Sequence, residues 1–182
     1  MTFSQGVFLD LESVDRGDLD RSQIEPLCQR WNWHSASDPG ETAERIRGAD
    51  LVISNKVVLD RSMLEQAEGL RLICVAATGT NNVDLAAARE LGIAVANVTG
   101  YATPAVVQHV FALILALTTR LPQYQAALSA GDWQRSRQFC LLDFPIRELA
   151  GRRLGIVGYG ELGQAVGAVA QAFGMEIGRA HV

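Results

Sequence analysis

Short apolar, β-branched runs alternate along this chain with stretches of helical period, the pattern of βαβ units around a mostly parallel sheet. Gly6 to Asp10, Leu51 to Ser54, Leu70 to Ala76, Ile93 to Asn97 and Leu154 to Gly158 predict strands. Ser22 to Trp31, Glu41 to Arg47, Arg61 to Ala67, Val83 to Leu91 and Glu161 to Phe173 carry helical spacing and predict helices. The fold class that follows is α/β.

Thr103 followed by Pro104 predicts a helix start, with the hydroxyl as a cap and the proline giving up a donor that would be unpaired anyway. The helix from Pro104 to about Arg120 is apolar on nearly every side, through Val106, Val107, Val110, Phe111, Leu113, Ile114, Leu115 and Leu117. So little polar face predicts burial on several sides, as between two domains. Leu121 to Leu149 reads as irregular, with Pro122, Gly131, Trp133 and Pro145, and a connection of that length is usually functional.

At 182 residues with 48% hydrophobic and 20% charged residues, the chain can bury a sizeable core and belongs with ordinary globular proteins. Sixteen Lys and Arg against twenty Asp and Glu leave a net charge of −4 with no basic run, which argues against nucleic acid or an anionic membrane as partner. The first ten residues lack the basic and apolar regions of a signal peptide. Cys28, Cys74 and Cys140 outline neither a disulfide framework nor a zinc site. A cytoplasmic protein without a membrane segment and without a metal is expected.

The most informative local motif is Gly158-Tyr159-Gly160-Glu161-Leu162-Gly163, between a predicted strand and a predicted helix. Gly158 would permit the tight turn, Gly160 would let backbone approach a pyrophosphate, and Gly163 would let helix and strand pack closely. A structural glycine-rich turn is the competing reading. The acidic residue that completes this fingerprint about 20 residues later is missing, and the closing segment, with Gly178 and Arg179 inside it, is a poor strand. Val75 to Asp84 breaks from a strand into a small polar loop, where N–H groups around Gly79 could hold a carboxylate or merely form an ordinary turn. Lys56, at the end of another predicted strand, could pair with an anionic substrate or simply be solvated. His109 reads as a buried, hydrogen-bonded histidine, and Trp31, Trp33 and Trp133 as packing residues.

Three runs, ATGTNNVDL (Ala77 to Leu85), GIAVANVTGYATPAVVQHVFALILAL (Gly92 to Leu117) and FCLLDFPIRELAGRRLGIVGYGELG (Phe139 to Gly163), resemble the D-isomer-specific 2-hydroxyacid dehydrogenases. Within them the chain is most similar to the glycerate dehydrogenase, or hydroxypyruvate reductase, branch. The resemblance implies a homodimer and a flavodoxin-like, Rossmann-like parallel sheet as substrate domain, followed by the truncated start of a Rossmann NAD-binding domain. Residues 1–100 would belong to the substrate domain, and 101–175 would supply the crossing helix, the dimer arm and the first βα unit of the cofactor domain. Lys56, Thr78 and Gly79 are then expected to bind substrate. Thr103, Gly158, Gly160, Glu161, Leu162 and Gly163 are expected to bind NAD, with NADP left open.

The family's chemistry uses a His as acid/base, a Glu that tunes it and an Arg that polarises the 2-oxo acid, all downstream of the glycine-rich turn. The resemblance therefore places no catalytic residue within this chain, which is expected to be an inactive piece of an oxidoreductase acting on a small 2-hydroxy or 2-oxo acid such as glycerate, hydroxypyruvate or glyoxylate. Glu176, Arg179 and His181 have the right residue types but share one short tail. Residues 176–182 are expected to be non-native: Glu-Ile-Gly-Arg-Ala-His-Val is spelled by GAGATCGGAAGAGCACACGTC, which reads as a sequencing-library adapter, and the same tail in genomic DNA would overturn that. A non-catalytic, NAD-sensing dimeric regulator, like the corepressors on this scaffold, is the alternative.

Overall fold

The computed structural model describes residues 3–180, and the chain divides at Gly100 into two units, Met1–Thr99 and Gly100–Val182. In the first, β1 (Phe3–Phe8), β2 (Cys28–Trp33), β3 (Leu51–Ser54), β4 (Leu72–Val75) and β5 (Ala94–Asn97) form one parallel sheet in the order β2-β1-β3-β4-β5. Helices α1 (Pro39–Ile46), α2 (Arg61–Gln66) and α3 (Leu85–Glu90) connect its strands. Val7, Val52, Ile73 and Val75 are buried because a parallel sheet is covered on both faces, and they pack with Ile46, Leu59 and Leu64 from outside the strands. Asp60 and Asp84 cap α2 and α3 through the N–H groups of Met63 and Ala87.

The helix expected over Ser22 to Trp31 is not formed. Its second half belongs to β2, an edge strand beside β1, preceded by a single 3-10 turn at Glu25–Leu27. Trp31 and Trp33 lie on one face of the strand and stack at 4.7 Å, and Trp33 stacks on Phe8 at 5.9 Å. Two residues apart, they share a face only with period two; a helix would turn them apart. Gly6 makes room for Trp31, since a Cβ there would come within 2.6 Å of Cys28 Sγ and of Trp31 Cε3.

The loop after β1 is tied by Asp15, which accepts from the Arg21 guanidinium at 2.9 Å and from the N–H groups of Gly17, Asp18 and Leu19. The Arg21 bond leads these contacts in holding the Asp15 carboxyl at about 2, against an ordinary 3.8. A carboxyl lowered in the folded state adds stability above its unfolded value and loses it as pH falls through the folded one. In an NMR titration of the folded chain the Gly17 and Leu19 amide signals are expected to shift together with a midpoint near about 2; a common midpoint near 3.8 would contradict the contact.

In the second unit, α4 (Thr103–Thr118), α5 (Leu121–Ser129) and α6 (Asp132–Arg135) precede β6 (Arg153–Val157), α7 (Glu161–Ala172) and β7 (Glu176–Ala180). Val107 and Phe111 of α4 and Ala170 of α7 form its core, with Phe111 stacked on Phe173 at 5.4 Å. Several expectations are corrected here. Helix α4 buries only the face covered by α7: Leu113 and Leu117 are 53% and 68% exposed, and His109 is exposed rather than buried. The stretch expected to be irregular contains α5 and α6. Arg120, with φ at 57°, breaks the chain, and Pro122 lies in the first turn of α5. No single helix among the described residues is long and apolar enough to cross a membrane, though α4 and α5 would pass as a pair bent by 61°.

The closing segment, expected to be a poor strand, pairs in parallel with β6 from Arg153↔Glu176 to Val157↔Ala180. Gly178 faces only ordinary contacts with Arg153 and Leu154, so its lack of a side chain does not prevent pairing. His181 and Val182 lie outside the described residues.

Candidate functional site

In the order β2-β1-β3-β4-β5 the winding reverses between β1 and β3, and ligands of such sheets bind beyond the strands' carboxyl ends at that point. A crevice of about 350 Å³ opens there, lined by Asp10, Ser13, Ser35, Ser37 and Lys56 among others. Asp10 organises it. Only 6% exposed, its carboxylate accepts the Asn55 N–H at 2.9 Å and the Lys56 N–H at 2.6 Å, and so binds the loop after β3 to the end of β1. The Lys56 side chain is exposed, with no ion-pair partner among the described residues.

Thr78 and Gly79 follow β4 at the same carboxyl edge, one strand over, and do not line the crevice. Both are exposed. Asn97, ending β5, donates from Nδ2 to the Thr78 carbonyl at 2.7 Å and steadies the loop. The N–H groups of Thr78 and Gly79 donate to no protein group among the described residues. Lys56, Thr78 and Gly79 thus supply a cation and free donors along one edge, which suits an anionic ligand.

The second unit builds the glycine-rich turn between β6 and α7, and its three glycines have separate steric reasons. Gly158 has φ at +84°, a conformation that side chains rarely adopt. A Cβ on Gly163 would overlap the Gly158 carbonyl oxygen and lie 3.2 Å from Ile156 Cγ2, so only glycine lets α7 sit this close to β6. Gly160 has nothing within 4 Å of a Cβ position, leaving its backbone open. Gly160 is the N-cap of α7 and no side chain caps the helix, so the first-turn N–H groups of Glu161, Leu162 and Gly163 are available to an anion. Tyr159 stands over Gly167, where a Cβ would come 2.9 Å from its hydroxyl.

Thr103 is not the expected cap. It is the first residue of α4, Ala102 takes the N-cap position, and the Thr103 hydroxyl donates to Glu161 Oε1 at 2.5 Å. Sequence reasoning missed Asp10, Asn97 and Gly167 as positioning residues. The signal for the first was an acidic residue directly after an apolar strand; the other two carry no distinctive local pattern.

Burial pushes the thiols of Cys28 and Cys74 up, away from the thiolate a nucleophile needs. No group of three or more His, Cys, Asp or Glu among the described residues could hold a metal. The geometry defines a class: an α/β protein with a doubly wound lobe open at its carboxyl edge and a Rossmann-type strand-turn-helix unit.

Comparison with known proteins narrows this class. A sequence model of the D-isomer specific 2-hydroxyacid dehydrogenase catalytic domain matches residues 11–174. The chain is 40% identical to glycerate dehydrogenase of Methylorubrum extorquens, covering 87% of this chain and 53% of that one. It is 38% identical to hydroxypyruvate reductase of Blautia hydrogenotrophica, over 94% and 54% of the two chains. The crystal structure of TT0316 protein from Thermus thermophilus superposes with a TM-score of 0.75 at 29% identity, covering 97% of this chain and 56% of that one. The chain belongs to the D-isomer-specific 2-hydroxyacid dehydrogenase family. It spans about half the length of the curated relatives it matches.

Proposed function

We propose that this chain carries the substrate lobe and the phosphate-binding turn of an oxidoreductase that uses a nicotinamide dinucleotide, NAD in the first instance, to interconvert a small D-2-hydroxy acid and its 2-oxo acid. The observation that carries the reading is the turn at Gly158 to Gly163, uncapped and open at Gly160. A bound nicotinamide would exchange a hydride with the substrate carbon. This chain's residues would hold the two ligands: the first-turn N–H groups of α7 the pyrophosphate, and Thr78, Gly79 and Lys56 the carboxylate. Relatives named glycerate dehydrogenase, hydroxypyruvate reductase and glyoxylate reductase favour glycerate and hydroxypyruvate, with glyoxylate next.

A cytoplasmic homodimer is part of the proposal. Phe139, Leu142 and Ile146 are 91%, 75% and 61% exposed, more apolar surface than a short segment leaves in water without a partner. Tyr124 fixes this segment to α5 by donating to the Phe144 carbonyl at 2.7 Å.

An NMR titration of the isotope-labelled chain tests both sites. NADH is expected to move the amide signals of Gly158 to Gly163, and hydroxypyruvate those of Thr78 and Gly79; movement confined to other residues, or none, would sink the reading. The 182 residues alone are expected to oxidise no NADH with hydroxypyruvate above background, because the matched relatives are nearly twice as long. Steady-state turnover by the purified chain would refute that.

A further inference from the structure

We propose that Glu161 sets how tightly the dinucleotide is held, its carboxylate acting as a fixed negative charge at the turn that receives the phosphates. The inference rests on the dinucleotide reading and goes one residue beyond it.

Glu161 is the first residue of α7, directly after the open Gly160. A carboxylate in a first turn is ordinarily favourable, since it meets the positive end of the helix dipole. The same end is what attracts a phosphate, so a charge kept there competes with the ligand. In most first turns such a side chain would be free to swing into solvent. Here it is held. Its Oε1 accepts the Thr103 hydroxyl at 2.5 Å, and a Cβ on Gly100 would lie 3.6 Å from the same oxygen. Glu161 therefore bridges the first residues of two helices, α4 and α7. No Lys or Arg among the described residues forms an ion pair with it, so its charge stands unneutralised beside the free N–H groups.

A bound pyrophosphate would bring two further negative charges to this turn. The site is solvent-exposed, so the repulsion is modest and sensitive to salt. Its consequence is a weaker complex and a faster exit of the dinucleotide, which suits a cofactor that must leave after each turnover.

The test is a charge series, Glu161→Gln and Glu161→Lys, each titrated with NADH by NMR in the full chain at low and at high salt. Glu161→Gln keeps an acceptor oxygen for Thr103 while removing the charge. It is expected to lower Kd by about three- to tenfold at low salt, tenfold being about 1.4 kcal/mol, with Glu161→Lys lowering it further. Both gains should shrink at high salt, as a loss of packing would not. Glu161→Gln, which keeps the acceptor for Thr103, is expected to unfold close to the wild type, and Glu161→Lys, which loses it, slightly earlier, so a tighter complex in either cannot come from a firmer fold. Affinity that ignores the order of charge, or a gain that survives high salt, overturns the assignment of Glu161 while leaving the dinucleotide reading standing. Absence of NADH binding in all three proteins overturns that reading, and this inference with it.

Discussion

Replacing Gly163 by alanine is expected to destabilise the second unit by about 2–3 kcal/mol, the upper part of the range that overpacking costs, and to abolish dinucleotide binding. The added methyl would overlap the Gly158 carbonyl oxygen and crowd Ile156. The first is backbone and cannot rotate away, so either α7 lifts from β6 or the turn changes shape. Either movement spoils the alignment of the free N–H groups at Glu161 and Leu162. Gly160→Ala supplies the contrast. At φ −77° with nothing within 4 Å, an alanine there meets no clash, and folding is expected to change by no more than about 0.5 kcal/mol. Its methyl would nevertheless stand where a phosphate approaches, so NADH binding is expected to weaken. Thermal unfolding and NADH titration of both variants separate the roles. If Gly163→Ala unfolds like the wild type, or Gly160→Ala binds NADH as well as it, the division of labour among these glycines is wrong.

The turn was legible because each of its glycines answers a local backbone demand that does not depend on distant residues. Strands β3 and β4 were legible for a related reason: a strand buried on both faces is apolar throughout. β2 was not. As an edge strand it mixes Gln29, Arg30 and Asn32 with its tryptophans, and its register is set by Phe8 and Gly6 on β1, some 25 residues away in sequence. Helix α4 misleads differently. Its apolar composition points to burial on several sides, yet only Val107 and Phe111 are buried in the cluster with α7, Val110 and Ile114 pack against it half-buried, and Leu113 and Leu117 stay exposed. Composition reports what a face would gain from a partner; it does not place the partner. The closing segment shows the reverse. Beside an unpaired edge of β6, the backbone groups of residues 176–180 gain partners almost whatever their side chains, while Ile177 joins the apolar cluster. Pairing there reflects the open edge more than the segment's own sequence.

At the carboxyl edge of the first unit the largest effect is expected from Asp10→Ala. The carboxylate is buried and takes the N–H groups of both Asn55 and Lys56, so truncation leaves two donors facing an apolar methyl. Hydrogen bonds to a charged group contribute about 1.5–3 kcal/mol each, and water entering the crevice would recover part, giving an expected loss of about 3 kcal/mol in urea denaturation. Asp10→Asn retains one acceptor oxygen and should lose roughly half as much. The functional consequence is separable from stability. Freed from Asp10, the loop after β3 no longer fixes the backbone from which Lys56 projects, so hydrogen exchange at the Asn55 and Lys56 amides should rise first and most. If Lys56 meets the carboxylate of the 2-oxo acid, hydroxypyruvate binding will fall in Asp10→Asn by more than its stability predicts, while NADH shifts at Gly158 to Gly163 remain. Equal losses at both sites would mean that Asp10 serves the fold alone.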